Sequence, residues 1–232
     1  MELEKKFGFL NGCIFIREAG ICAASDLHIG LEDELCRQGL AFPLQEERML
    51  RERMESVLEK FKPSLFVLAG DVLHSFDRID RNVRHKFAAI LETLEKQCPV
   101  ILLQGSHDTM VSSIGGFLDR YDAAGYTFAH GHAALEEHGN LVLGHEHPVI
   151  QIEMERLPCF LFGEKLVNGK DLVILPAFNP LCQGVTINRA EGRDLMSPLL
   201  KRVDIDGFCP VIEVQGEVLA FPKLGDLRRH ID

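Results

Sequence analysis

Short apolar runs alternate with amphipathic stretches along the first part of the chain. Four of the runs precede a polar block. These runs are residues 21–25, 65–69, 100–103 and 141–143. Runs of this length are typical of buried strands in a sheet that is covered on both faces. Apolar residues also recur at helical spacing in two stretches, Leu50, Met54, Val57, Leu58 and Phe61, then Val83, Phe87, Ile90, Leu91 and Leu94. These stretches predict two helices that pack on the sheet.

The second part of the chain is mostly strand-like. Residues 171–175, 185–187 and 209–221 are rich in apolar and β-branched residues. Near the start of the chain, Asn11 and Gly12 separate two apolar runs, which is a strong signal for a hairpin turn. The first part of the chain thus has strands covered by helices, and the later part has a more antiparallel set of strands. This order predicts an α/β fold of four layers, in which two packed mixed β-sheets are flanked by α-helices.

Length and composition indicate a single domain over residues 1–232. The chain is 46% hydrophobic and 26% charged, and a chain of this size buries on the order of 70–75% of its unfolded surface. No apolar run approaches the roughly 18 residues of a membrane span, and the N-terminus lacks a signal pattern. We therefore expect a cytoplasmic protein without a membrane partner. The seven dispersed cysteines predict reduced thiols, to which we assign no chemistry.

The charge balance bears on possible partners. With 25 Lys and Arg against 35 Asp and Glu the formal net charge is −10, whereas nucleic-acid binding draws much of its affinity from basic residues on phosphates. The basic clusters are Arg48, Arg51 and Arg53, then Arg78, Arg81, Arg84 and Lys86, then Arg228 and Arg229. They alternate with acids, as on solvated helix faces, although the second cluster follows a polar block and could border a cleft. Duplex nucleic acid is disfavoured as a partner, and a homo-oligomer stays open.

Candidate chemistry is concentrated in five blocks, at residues 26–28, 70–74, 105–108, 130–132 and 144–147. They are rich in histidine and aspartate, a combination that suits Mn, Fe, Zn, Co or Ni, whereas Ca and Mg prefer oxygen ligands. Because most blocks follow predicted strands, we expect them to converge at one edge of a sheet. A pair of ions roughly 3.5–4 Å apart requires a bridging ligand, and Asp71 in the second block is the best candidate.

The order and residue types of these blocks resemble the calcineurin-like metallophosphoesterases, whose pattern is DxH, GDxxD or GDxxH, GNH[DE], H and GHxH. The resemblance covers most of the chain. Within that family the chain looks closest to the compact prokaryotic, chiefly archaeal, phosphoesterases related to double-strand-break repair nucleases. That closer likeness rests on residues 144–148, on residues 175–180 and on the histidine that ends the second block, His74.

The resemblance implies a role for each matching residue. Asp26, His28, Asp71 and His147 would hold one metal ion, and Asp71, His130 and His145 would hold the other. His107 would face the substrate phosphate, where it stabilises the transition state or protonates the leaving oxygen. Asp108 would orient His107.

Three further residues are less well defined by the pattern. The family has Asn where this chain has Ser106; we retain Ser106 as a metal-site residue, but its hydroxyl is a poorer ligand and predicts a weaker second site. His74 either orients a metal ligand or a nearby loop, or has no direct role. His132 either acts in the cleft or only lines it.

The resemblance implies metal-dependent hydrolysis of phosphate esters, diesters or monoesters, by a hydroxide held between two divalent ions. Manganese is the leading candidate, with Fe, Zn, Co or Ni as alternatives. We expect a small or single-stranded phosphate-ester substrate. One alternative is a nuclease on single-stranded nucleic acid. A non-catalytic protein-interaction scaffold ranks lower, because such relatives tend to lose the phosphate-facing histidine that His107 represents.

Overall fold

The computed structural model describes residues 2–40, 45–74, 80–108, 116–136 and 138–229. The helices are α1 (Glu2–Lys6), α2 (Leu31–Arg37), α3 (Glu46–Phe61), α4 (Arg81–Glu95) and α5 (Leu224–Arg228). The strands are β1 (Phe7–Leu10), β2 (Cys13–Ile16), β3 (Ile21–Ala24), β4 (Leu65–Ala69), β5 (Val100–Leu103), β6 (Phe117–Leu118), β7 (Arg120–Ala123), β8 (Tyr126–Ala129), β9 (Asn140–Leu143), β10 (Pro148–Ile152), β11 (Glu155–Pro158), β12 (Phe160–Val167), β13 (Lys170–Ile174), β14 (Val185–Thr186), β15 (Cys209–Val214) and β16 (Glu217–Ala220).

The first sheet contains the predicted motif strands. Among the described residues its order is β1-β2-β3-β4-β5-β6, with β3, β4, β5 and β6 parallel to one another. The hairpin predicted at the start is confirmed, because β1 and β2 pair antiparallel through a turn with positive φ at Asn11 and Gly12. The parallel strands direct their carboxyl ends to one side, where the first three polar blocks begin.

The second sheet is built from the later part of the chain. Its described order is β16-β15-β12-β13-β9-β8-β7, with parallel pairing only of β13 with β9 and of β9 with β8. A small third sheet joins β11, β10 and β14. The fourth and fifth polar blocks follow β8 and β9, so they also lie at the carboxyl ends of parallel strands.

Strand alternation divides the interior into separate cores. In β3, Cys22 and Ala24 pack toward α3 and α4, while Ala23 faces the core between the two sheets. That central core also takes Phe128 and Val142 from the second sheet. The other face of the second sheet is covered by short 3-10 turns and α5, through residues such as Leu195, Leu200, Ile205 and Leu224.

The predicted four-layer arrangement of two packed mixed sheets is confirmed, with one difference. Long helices cover the first sheet as expected, but the outer layer on the second sheet consists of single turns and a five-residue helix. The segment after β13 is rich in glycine, proline and isolated polar residues, which do not sustain long helices. No described helix is long and apolar enough to span a membrane.

The polar blocks converge at the edges of two sheets, whereas the sequence predicts the edge of one. Ser25, after β3, forms a parallel bridge with Ala177, which follows β13. Phe178 also donates its backbone N–H to the carbonyl of Ser25. The carboxyl ends of the two sheets are thereby joined, and the loops from both face each other.

Candidate metal centre

The first group of donors surrounds Asp26 and His28. His28 Nε2 lies 4.0 Å from Asp26 Oδ1 and 3.8 Å from Asp71 Oδ2. His147 Nε2 lies 3.0 Å from Asp26 Oδ1 and 3.4 Å from His28 Nε2. The four residues for which the resemblance implies the first metal ion are therefore brought together.

The second group is centred on His130. Its Nε2 lies 3.2 Å from Asp71 Oδ2 and 3.1 Å from His145 Nδ1, and donor atoms of the three residues lie within 4.8 Å of one another. In a second set, donor atoms of Asp26, His28 and Asp71 also lie within 4.8 Å of one another. Asp71 belongs to both sets, which is the position that a bridging carboxylate requires.

The donor chemistry fits the binding of metal. The Asp26 side chain is fully buried, and no described group donates a well-aligned hydrogen bond to its Oδ1. This oxygen faces the ring nitrogens of His147 and His130 at 3.0 and 3.8 Å. Buried carboxylates and imidazoles whose donor atoms point at one another form the environment in which a bound cation satisfies all of them.

The backbone at the donor residues is strained in a consistent way. Positive φ angles occur at Asp26 (58°), His28 (43°), Asp71 (47°), His145 (75°) and His147 (45°). A side-chain-bearing residue in the left-handed region costs roughly 1–2 kcal/mol, although Asp and His are among the types that adopt it more readily. Strain of this kind is concentrated at functional sites. The backbone conformation therefore points to the same donor residues as the sequence motifs do.

Two glycines allow the loops to approach each other. A Cβ on Gly105 would lie 2.1 Å from both the backbone nitrogen and Oδ1 of Asp71, and one on Gly70 would lie 2.5 Å from His130 Cβ. Gly70 also has φ of +91°. Side chains at these positions would displace Asp71 or His130, because the contacts involve backbone or the first side-chain atoms.

Charge coupling within the cluster shifts the pKa values in opposite directions. Burial raises the pKa of Asp26, but the neighbouring imidazoles outweigh it and hold that pKa at about 2. The pKa of Asp71 is likewise below its usual range, because the hydrogen bond and charge of His130 outweigh burial. Burial lowers the pKa of His28 to about 3 and, with the charge of His130, that of His145 to about 4. Burial also opposes the charged form of His130, yet its hydrogen bond to Asp71 and the charge of Asp26 raise its pKa to about 9.

His107 and Ser106 lie beside Asp71 at the more open side of the cluster. The His107 backbone N–H donates to Asp71 Oδ1 at 2.7 Å, and its Nε2 lies 3.9 Å from Asp71 Oδ2. The imidazole of His107 is 28% exposed, against 5% for His28, so it can reach a substrate. Ser106 Oγ lies 3.2 Å from Asp71 Oδ2 and donates to it, which places the hydroxyl next to the second donor group.

Asp108 is buried and joins two of the loops. Its carboxylate accepts the backbone N–H groups of Val72, Leu73 and Gly105, at 3.2, 2.9 and 2.9 Å. Burial raises the pKa of Asp108 to about 6. These contacts hold the second and third blocks together, a role that the sequence reasoning missed; the orientation of His107 by Asp108 stays a prediction.

His74 and His132 occupy different positions around the cluster. His74 Nδ1 lies 3.2 Å from His28 Nδ1, on the side of that ring opposite the carboxylates, and its ring stacks on His107. This favours the orienting role. His132 is exposed, with its ring centroid 5.3 Å from that of His130, which favours a lining position in the cleft.

The sequence reasoning assigned no role to several residues that support the site. Glu146 is fully buried between His145 and His147, and its carboxylate accepts the backbone N–H groups of Met196 and Ser197. Asn179 is also fully buried, and its side chain donates to the carbonyl of Leu27. Both lie inside the motifs that carry the resemblance, but only the fold reveals what they bind.

Comparisons with known proteins agree with this fold. The family model Calcineurin-like phosphoesterase matches residues 20–209. No curated protein matches the sequence. The chain is similar to a solved structure, the crystal structure of Pseudomonas putida nuclease MPE, with a TM-score of 0.64 and 20% sequence identity over 93% of this chain and 94% of that chain. At this identity the likeness shows a shared fold.

Proposed function

The chain belongs to the calcineurin-like phosphoesterase family, and we propose that it hydrolyses phosphodiesters at a centre of two divalent metal ions. The observation that carries the proposal is the presence of two donor groups that share Asp71. Ions held there would activate the attacking water and neutralise charge on the phosphoryl oxygens. Manganese is our leading candidate, because the mixed carboxylate and imidazole set suits it.

The chain's own residues position and protonate the substrate. Asp26, Asp71 and the buried imidazoles fix the centre at the meeting point of the two sheets. His107 is the more exposed histidine beside Asp71, and we assign it the proton donor to the leaving oxygen, through Nε2. The His107 backbone N–H, which bonds Asp71, holds that carboxylate whatever the side chain does.

A nuclease acting on single strands is the second candidate. The similar solved structure is described as a nuclease, which favours diesters over monoesters as substrates. The described basic clusters do not favour a duplex groove: Arg51 pairs with Glu47 and Glu55, and Arg228 pairs with Asp206. Arg78 of the predicted second cluster lies outside the described residues. Cleavage of single-stranded oligonucleotides with a steep salt dependence would support this candidate.

The scaffold interpretation receives less support. The predicted ligands other than Ser106 are all of metal-binding types. Asp26, His28 and Asp71 form one compact group, Asp71, His130 and His145 form another, and His147 Nε2 lies 3.0 Å from Asp26 Oδ1. A protein-interaction module has no need to maintain buried carboxylates beside imidazoles, or left-handed backbone at five of these residues.

The test is hydrolysis of a chromogenic phosphodiester beside the matching monoester, with manganese and with the His107→Ala variant. We expect diester hydrolysis, and a loss in the variant of roughly 10²–10⁴-fold in kcat. Manganese content should stay unchanged, because the backbone bond to Asp71 survives the substitution. His85→Ala is the matched control, since His85 is exposed on α4. Absence of hydrolysis of either ester with Mn, Fe, Zn, Co and Ni would overturn the proposal.

A further inference from the structure

Cys182 lies against the first donor group, although the motif does not contain it. Its Sγ and donor nitrogens of His28 and His147 lie within 4.8 Å of one another. Bonds from zinc to sulfur and to imidazole nitrogen are roughly 2.3 and 2.0–2.1 Å long. Three donor atoms this close together therefore fit around one ion.

The turn that carries Cys182 is fastened to the first block. The Cys182 backbone N–H donates to the carbonyl of Asn179, which closes the turn, and the Asn179 side-chain oxygen accepts the N–H of Leu181. Asn179 in turn donates its backbone N–H to Asp26 O and its side-chain amide to Leu27 O. The position of the thiol relative to His28 is thus set by hydrogen bonds that Asn179 makes to both sides.

The residues after Cys182 are fastened to the fifth block. Val185 donates its backbone N–H to the carbonyl of His147. A Cβ on Gly184 would lie 2.1 Å from that same carbonyl oxygen. The segment from 179 to 185 therefore links the loops of His28 and His147, with the thiol between them.

We propose that Cys182 is a further ligand of the first metal ion, with His28 and His147, and that it gives this site a preference for thiophilic ions. The inference rests on the metal centre proposed above. A second observation points to a cation at the same place: the fully buried Asp26 Oδ1, to which no described group donates a well-aligned hydrogen bond, lies 3.0 Å from His147 Nε2.

The chemistry of the thiolate makes the proposal specific. Sulfur is a soft ligand that favours zinc, cobalt and cadmium over manganese, whereas carboxylate oxygens suit manganese. When the ion binds, the sulfur–metal bond replaces the S–H bond and the proton leaves to solvent. His147 and Cys182 also line a common cavity of about 380 Å³, which gives ions and solvent a route to the thiol.

The test is the absorption spectrum of the cobalt-loaded full chain. Coordination by a thiolate produces an intense near-ultraviolet sulfur-to-cobalt charge-transfer band, which imidazole and carboxylate ligands do not produce. We expect the band in the wild-type protein, its loss in Cys182→Ser, and its retention in Cys209→Ser. Cys209 is a matched control because it is half-buried and free, and lies in β15.

Ion affinities give a second, independent measurement. In Cys182→Ser we expect cadmium to bind roughly 10- to 100-fold more weakly, which is the scale of affinity loss for changes around a metal site, and manganese to lose less affinity than cadmium. Equal losses for both ions would show a structural effect and overturn the proposal. Cobalt binding without the charge-transfer band would also overturn the proposal that Cys182 is a ligand. That result would not contradict the proposed metal centre. If the chain binds no cobalt and no manganese, the thiolate ligand and the proposed centre fail together.

Discussion

At the residue scale, Asp71 is the side chain on which the two donor groups depend. It lies in both groups, and it also accepts hydrogen bonds from the His107 backbone and the Ser106 hydroxyl. The left-handed backbone at Asp71 is made possible by glycines at 70 and 105, whose missing side chains leave room for it and for His130. The sequence predicts the bridging role from residue type and order, but not this backbone conformation, which depends on loops that are distant in the chain.

Ser106 is the residue at which the second donor group can be improved. Ser106→Asn replaces a short hydroxyl beside Asp71 Oδ2, 3.2 Å away, by a longer side chain that ends in an amide oxygen. We expect tighter binding of the second manganese ion, measured by calorimetric titration, with the first ion bound as before. Equal stoichiometry and affinity in the two proteins would show that position 106 does not contribute a ligand.

The raised pKa of His130 predicts a proton release. Because Asp71 and Asp26 hold that pKa at about 9, the ring is protonated at pH 7.5 in the metal-free protein, and it must become neutral to bind an ion. Manganese binding should therefore release about one proton from this residue, and affinity should rise with pH up to about 9. The measurement is the binding enthalpy in buffers of different ionisation enthalpy. A slope of zero against buffer enthalpy, or the same slope in His130→Gln, would contradict this assignment.

At the scale of elements, the helices on the first sheet are joined by a buried network of charges. The Glu32 carboxylate accepts the backbone N–H groups of Gln45 and Glu46 at the start of α3. The Glu46 carboxylate accepts those of Gly30 and Glu32 at the start of α2. Each carboxylate thereby satisfies the free amides at the other helix's N-terminus. The hydrogen bonds from Gly30 and Glu32 to Glu46 also hold the loop that contains His28.

Lys86 from α4 completes this network, and its removal should be costly. Its Nζ lies 2.6 Å from Asp33 Oδ2 and 3.1 Å from Glu46 Oε2. Lys86→Met would leave buried carboxylates without a counter-charge, so we expect the free energy of unfolding to fall by about 3–5 kcal/mol in denaturant titrations. Lys96→Met removes an exposed ion pair with Glu92 and should change stability by less than about 1 kcal/mol. Similar losses in the two variants would contradict the network's role.

Periodic patterns predicted most of the elements that position the site, and their failures have a physical cause. The helical stripes at 50–61 and 83–94 lie within α3 and α4, and the four motif runs are β3, β4, β5 and β9. The run at 209–221 is a hairpin of two strands, β15 and β16. The strand runs named from the sequence do not include β6, β7, β8, β10, β11 or β12. Strand β7 alternates between exposed and half-buried residues and contains Arg120 and Asp122, so its stability comes from pairing with β8 rather than from its own apolar pattern.

At the scale of the whole molecule, the site exists because two sheets meet at their carboxyl edges. Sequence order and residue type predicted the donor residues that the structure brings together, since the blocks follow strands whose direction is fixed by parallel pairing. They could not predict that the second sheet supplies His130, His145 and His147. That depends on the central core and on the bridge between Ser25 and Ala177. The same contact positions Cys182, which has no motif of its own.

The most direct test of the account is the rate of phosphodiester hydrolysis as manganese is titrated into chelator-stripped protein, with bound metal counted at each step. The two donor groups predict no hydrolysis in the stripped protein and full activity when two ions are bound per chain, with the second ion bound more weakly because of Ser106. Hydrolysis by the stripped protein, saturation of activity at one ion, or no hydrolysis with both sites filled would contradict the proposed two-metal centre.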